Sequence, residues 1–184
     1  MRAIFVRHPQ TSWNENGLLQ GVKEGKISRQ GQVETKRFVK KTRDLEISSI
    51  YYAANKRCEY FAEQLVKIHP DTKLKRDSRI NERSFGIYEG KSEKEIGEAT
   101  GFVREDYRAR FKWRPAKGES LEDISFRIKE FLRDLKRKEK DSKTVFVVTS
   151  GGVMRVILFV LGIKTLEEVI GLKIRNLEKL EFEF

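Results

Sequence analysis

The stretch AIFVRHPQ, residues 3–10, ends a short apolar run on an Arg-His pair and a proline. Four consecutive apolar residues stopped in this way predict a buried strand that breaks into a loop at His8. The pattern recurs. SIYYA around residue 50 and TVFVVTS ending at residue 150 are apolar runs of the same kind, KLKR near residue 74 is a shorter one, and each is expected to be a buried strand.

Helical patterns lie between these runs. Ser28 precedes a helix carrying Val33, Phe38 and Val39, while Ser92 with Glu95 and Ser120 with Asp123 have the three-residue spacing of a capping box. After Ser120, the residues Leu121, Ile124, Ile128, Phe131, Leu132 and Leu135 recur every three or four positions, as in an amphipathic helix laid on a sheet. The tail KLEFEF alternates Leu180, Phe182 and Phe184 with charge. It predicts a half-buried strand at a sheet edge, or an edge that pairs with another subunit.

Strands alternating with helices predict an α/β three-layer sandwich with a mostly parallel sheet, one domain over residues 1–184. Ligands in such folds bind beyond the carboxyl ends of the strands. His8, Asn55 to Arg57 and Ser150 to Gly152 are expected there. The charged stretch 83–117, which contains Trp113, reads as a lid-like insertion over that end.

Composition narrows the class. The chain has 184 residues, 38% of them apolar, which suffices for one core. A formal charge of +11 favours anionic partners. The basic residues alternate with acids, as in LRDLKRKEKDSK, and lack interleaved aromatics, which argues against nucleic acid. Charged residues make up 36%, heavily Lys and Glu, with few Asn and Gln; this bias accompanies work at high temperature and explains much of the charge without a ligand. With Cys58 alone there is no intrachain disulfide, and with two histidines and one cysteine no zinc or iron cluster is expected. The longest apolar run, VILFVLGI, is too short for a bilayer, and a soluble cytoplasmic protein is expected.

A metal-independent phosphoryl transfer needs a nucleophile in line with phosphorus, donors for the equatorial oxygens and an acid for the leaving oxygen. His8 suits the first if its other ring nitrogen is held by a backbone carbonyl; Arg7 and Arg57 suit the second as forked donors. Taken singly, an Arg-His dipeptide is noise and Arg57 in NKRCEYFAEQL is a solvated helix residue. Their coincidence at strand ends is the signal.

The sequence resembles the histidine phosphatase superfamily, phosphoglycerate mutase-like branch, over nearly its whole length. VRHPQTSWNENGLLQG resembles the family's opening block, which implies Arg7 as a phosphate-binding arginine, His8 as nucleophile and Asn14 as a pocket residue. IYYAANKRCEYFAEQL resembles the segment of the second phosphate-binding arginine, here Arg57, and INERSFGIYEGKS the block that implies Glu82 as proton donor. KGESLEDISFRI resembles the block ahead of the family's long helix, and VFVVTSGGVMRVIL its last strand and turn. The resemblance implies no cofactor.

Two positions depart from the family. Ser150 stands where a second histidine normally donates to the phosphoryl oxygens; loss of one such donor costs roughly 2.7–4 kcal/mol. Ser150 retains one neutral hydrogen bond, and the N–H groups of Gly151 and Gly152 at a helix start can help hold an anion. Pro9 replaces the usual glycine after the nucleophile and removes a backbone N–H.

Other residues read more plainly. Ser150 is no hydrolase elbow, because Val148 stands where Gly-x-Ser-x-Gly needs glycine. His69 reads as a surface residue and Cys58 as a small buried helix residue. Trp113 with Arg114, and Arg104, Arg108 and Arg110, are candidates for a substrate carboxylate, with Arg114 first among them, or are members of a solvated helix.

Three functions fit. The first is a phosphoserine phosphatase-like phosphomonoesterase acting on a small phosphorylated metabolite through a phosphohistidine at His8, weakened by Ser150. The second is a non-catalytic partner subunit of a related active phosphatase, as a homodimer's or heterodimer's edge strand would permit. The third is a phosphate-ligand or nucleic-acid binding module, with membranes excluded.

Overall fold

The computed structural model describes residues 1–100 and 107–184, apart from the side chains of Glu93, Tyr107 and Arg108. Among them, five strands form one sheet: β1 (Arg2–Arg7), β2 (Ile47–Tyr52), β3 (Lys73–Arg76), β4 (Thr144–Thr149) and β5 (Lys179–Glu183). Their order is β3-β2-β4-β1-β5, with β5 antiparallel to β1 and every other pairing parallel. Eight helices accompany them: α1 (Ser12–Glu15), α2 (Arg29–Lys40), α3 (Lys56–Val66), α4 (Glu93–Thr100), α5 (Tyr107–Lys112), α6 (Leu121–Lys138), α7 (Gly151–Val160) and α8 (Leu166–Gly171).

The sequence pattern explains the layers. Ala3 to Val6 and Val145 to Val148 are all buried. Since neighbouring strand residues face opposite sides, both faces of the central strands must be covered, which is why these runs are apolar throughout rather than alternating. Helices α2 and α3 meet edge-to-face through Phe38 and Phe61, and α6 reaches the sheet through Phe131 against Tyr51. All six apolar positions expected to bind α6 to the core are buried or packed against it.

One expectation requires correction. KLKR does form a strand, but β3 is an exposed edge with Leu74 open to solvent. Lys73 and Arg76 are exposed, whereas Lys75 is half-buried and pairs with Glu139 at the end of α6, and charge on an edge discourages further pairing. In α2 the buried face is Gly31, Thr35 and Val39, an i, i+4 row, and Val33 points outward. Gly31 is needed there. A β-carbon at that position would lie 2.3 Å from the carbonyl oxygen of Gln10, so only glycine lets α2 approach the loop that follows His8.

The alternating tail is the half-buried edge strand β5, seated on β1 with Phe182 edge-to-face against Phe5. The capping boxes at Ser92 and Ser120 and the Ser28 cap are all present. No described helix is long and apolar enough to cross a membrane.

Candidate functional site

The carboxyl ends of β1, β2 and β4 converge. His8 follows β1 and its N–H donates to Thr149 O at 2.8 Å, while Thr149 Oγ1 donates to Ile80 O at 2.6 Å. Asn81 Oδ1 accepts from Ala54 N at 2.6 Å. These bonds tie the end of β4 and the turn after β2 to the segment carrying Glu82.

His8 is buried, and its Nδ1 lies 2.8 Å from the carbonyl oxygen of Pro9. A carbonyl only accepts, so Nδ1 carries the proton and Nε2 keeps its lone pair. Burial, then the nearby Arg57 and Arg7 cations, holds His8 well below its ordinary pKa. The imidazole is therefore neutral near pH 7. Pro9 takes no part through its nitrogen; the contact uses its carbonyl, which proline retains.

Arg57 is a fully buried residue of α3, not a solvated one. Its Nη2 donates to Gly21 O at 2.9 Å, whereas Nε and Nη1 are buried without a partner among the described residues. Arg7 donates from Nη1 to Ile174 O at 2.5 Å and leaves Nε buried and, among the described residues, unpartnered. Burial and the neighbouring cations Arg155 and Arg57 lower its pKa, opposed by Glu82. Two guanidinium groups with unused buried N–H donors cost stability unless an anion completes them.

Ser150 opens α7 but makes no capping bond, and its Oγ is buried without a partner among the described residues. Gly151 packs beside Arg7: a β-carbon there would meet Arg7 Cδ at 3.3 Å. At Gly152 it would lie 2.4 Å from Glu82 Oε1. The Glu82 carboxylate thus rests on the first turn of α7, steadied by the Arg83 N–H at 2.9 Å. Asn14 Oδ1 accepts from Thr11, which caps α1, and from Asn176 Nδ2, leaving the Asn14 amide hydrogens unused. Neutral histidine, unpaired guanidinium donors, helix N–H groups and a carboxylate are together suited to holding and transferring a tetrahedral anion.

The structure therefore brings Arg7, His8, Arg57 and Glu82 into one neighbourhood at the strand ends, with Gly151 against Arg7, Ser150 next to it in the chain, and Asn14 linked to His8 through Asn176. It does not bring Arg114 there. Arg114 is exposed and donates to Asp123 Oδ1 at 2.6 Å, at the cap of α6. Arg104 and the side chain of Arg108 lie outside the described residues. Arg110 and Trp113 line a neighbouring cavity of about 530 Å³ that shares Glu82 and Gly152 with the cluster. His69 lies partly buried at the surface, with Nε2 3.0 Å from Thr42 Oγ1. Cys58 is buried and burial pushes its thiol up to about 12, so it is inert packing. No group of three or more His, Cys, Asp and Glu among the described residues could hold a metal ion.

Several contributors carry no sequence signal. Asn176 donates to His8 O at 2.9 Å from 168 residues away. Glu24 caps α3 by accepting from Lys56 N and Arg57 N, and Glu89 accepts from Val22 N and Lys23 N, so two carboxylates pin the loop that holds Arg57. Gln20 is buried with Oε1 unpartnered. Only proximity in the fold reveals them.

Several known proteins are similar to this chain. A 2,3-bisphosphoglycerate-dependent phosphoglycerate mutase from Mesorhizobium japonicum is 29% identical over 182 residues, covering 93% of this chain and 86% of its own. A mycobacterial glucosyl-3-phosphoglycerate phosphatase solved with VO3 superposes with a TM-score of 0.85 at 20% identity, covering 98% of this chain and 90% of its own. A phosphoserine phosphatase mutant from Entamoeba histolytica, solved with phosphoserine, gives a TM-score of 0.80 at 21% identity, over 100% and 90% of the two chains. At such identities these two likenesses are of fold alone. A family model described as the histidine phosphatase superfamily (branch 1) matches residues 3–184, and the chain belongs to that superfamily.

Proposed function

We propose that the protein is a phosphomonoester hydrolase, phosphoserine phosphatase-like, that works through a phosphohistidine at His8 without a metal. One observation carries the reading: a neutral imidazole, its Nδ1 engaged by Pro9 O, stands among guanidinium N–H groups that have no other partner. In the first step Nε2 attacks phosphorus, the bond from phosphorus to the ester oxygen breaks, and Glu82 gives its proton to the departing oxygen. In the second, Glu82 takes a proton from water as that water attacks phosphorus, the nitrogen–phosphorus bond breaks, and His8 and phosphate are released. Arg7, Arg57 and the α7 N–H groups hold the equatorial oxygens throughout, and Asn14 adds an amide donor. The described parts of 83–117 cover the neighbouring cavity through Ile96, Phe111 and Trp113, in keeping with a lid.

Ser150 sets the rate. A neutral hydroxyl in place of a cationic donor lowers turnover about 10²- to 10³-fold relative to a complete set. That same residue, buried and unpartnered, favours a second reading in which the chain is the non-catalytic partner of an active relative, in a heterodimer.

The test is phosphate release in EDTA from phosphoserine, phosphoglycerates and 4-nitrophenyl phosphate. Slow wild-type turnover that vanishes in His8→Ala and rises in Ser150→His supports hydrolysis through His8. Turnover that survives His8→Ala overturns it. Silence in the wild type with activity in Ser150→His favours the partner-subunit reading.

A further inference from the structure

The cavity that shares Glu82 and Gly152 with the cluster runs away from it along one face of α7. Gly152, Arg155, Val156 and Phe159 all line it, at intervals of three, one and three residues. Such spacing keeps them on one side of the helix, over a span of about 10 Å. The facing walls are largely apolar and aromatic, with Phe85, Ile96, Phe111 and Trp113 prominent beside the cations Arg110 and Lys173, and Phe111 meets Phe159 edge-to-face. A volume of about 530 Å³ lies within the usual range for a small organic ligand. An apolar trench whose near end is the Glu82 carboxylate can receive the organic part of an ester whose oxygen leaves at Glu82.

The cations on this wall differ in their engagements. Arg83 donates to Glu119 O and Trp113 O and lies over the rings of Phe85 and Trp113, so its donors and faces are occupied. Arg155 is half-buried and makes no hydrogen bond or ion pair among the described residues. It stands one helical turn beyond Gly152. Its charge is felt at both Arg7 and Arg83, whose pKa values it helps lower. A half-buried guanidinium repelled by neighbouring cations and unpaired among the described residues offers a fork to an anion.

We propose that this trench is the leaving-group subsite and that Arg155 selects esters whose apolar body carries a second anionic group about one helical turn from the phosphoryl oxygen. Arg155 is here a specificity residue and takes no part in the chemistry. The inference rests on the phosphomonoesterase reading for its kinetics, but ligand binding in the trench can be read without turnover.

The experiment compares three aryl phosphates: 4-ethylphenyl phosphate, 4-(phosphonooxy)phenylacetate with a carboxylate, and hydroquinone bisphosphate with a second phosphate. Wild type, Arg155→Met and Arg155→Lys are measured, Met keeping the apolar stem and Lys the charge. Expected is a fall of at least tenfold in kcat/KM for the doubly anionic esters in Arg155→Met, less than threefold for the ethyl ester, and partial rescue in Arg155→Lys. Whichever doubly anionic ester loses more identifies the preferred second group. Equal losses on all three esters, or no loss, overturn the proposal. If no ester is turned over, calorimetric titration of the same three compounds reads the same discrimination. In that case failed turnover counts against the phosphatase reading, and failed discrimination in binding counts against the trench.

Discussion

Nδ1 of His8 lies 2.8 Å from the carbonyl oxygen of the next residue, Pro9. The loop therefore fixes the imidazole tautomer with a group that proline does not lose, and the departure at Pro9 leaves the orientation of the ring intact. Burial and two neighbouring arginines keep that ring neutral.

This gives a pH signature. The unfolded chain takes up the His8 proton near the ordinary value of 6.5, whereas the folded protein takes it up only at lower pH. Between the two, the unfolded state binds more protons, so stability rises with pH there. The contribution is complete above that ordinary value and shrinks as pH falls below it. Wild type should lose about 1.4 kcal/mol per pH unit relative to His8→Gln on acidification below that point. Denaturant melts of both proteins at pH 5 to 8 check it; a pH-independent difference would refute it.

Ser150 Oγ has no partner among the described residues. Removing an unsatisfied buried hydroxyl should cost nothing, so Ser150→Ala is expected to be as stable as wild type or about 1 kcal/mol more stable without phosphate. With inorganic phosphate the order should reverse, because only the wild type can add a hydroxyl donor. Thermal melts with and without phosphate decide this.

Arg57 buries a cation with two unused donor atoms. Arg57→Met, close in volume, is expected to raise Tm in phosphate-free buffer despite losing the bond to Gly21 O. It should also abolish the stabilisation by phosphate, which for wild type at one hundred times Kd amounts to about 2.7 kcal/mol. A variant that loses stability and keeps the phosphate shift would contradict the assigned role.

Gly31→Ala tests how α2 supports the nucleophile loop. Alanine gains about 1 kcal/mol of helix propensity, yet its methyl would sit 2.3 Å from Gln10 O, a backbone atom. Net destabilisation of about 1–3 kcal/mol is expected, with a drop in phosphate affinity as the loop shifts. An unchanged midpoint in urea would show that the loop yields freely.

The sequence by itself determined much of this. Runs of apolar residues gave the positions of the strands, and because β1 and β4 are apolar throughout, burial on both faces was legible without coordinates. Capping spacings and the i, i+3, i+4 row in α6 are local and were legible for the same reason. The residues of the candidate site that follow strands, His8, Arg57 and Ser150, were legible because strand ends converge in any parallel sheet. The exposure of β3 was not, since a short charged strand reads alike at an edge or in a centre until the strand order is known. Tertiary structure alone decided that Arg114 turns to Asp123, that Asn176 reaches His8, and that Arg155 lines the trench without an ion pair among the described residues. Those facts depend on which chain segments meet across more than a hundred residues or on which neighbour a long side chain finds. Local propensity carries no record of either.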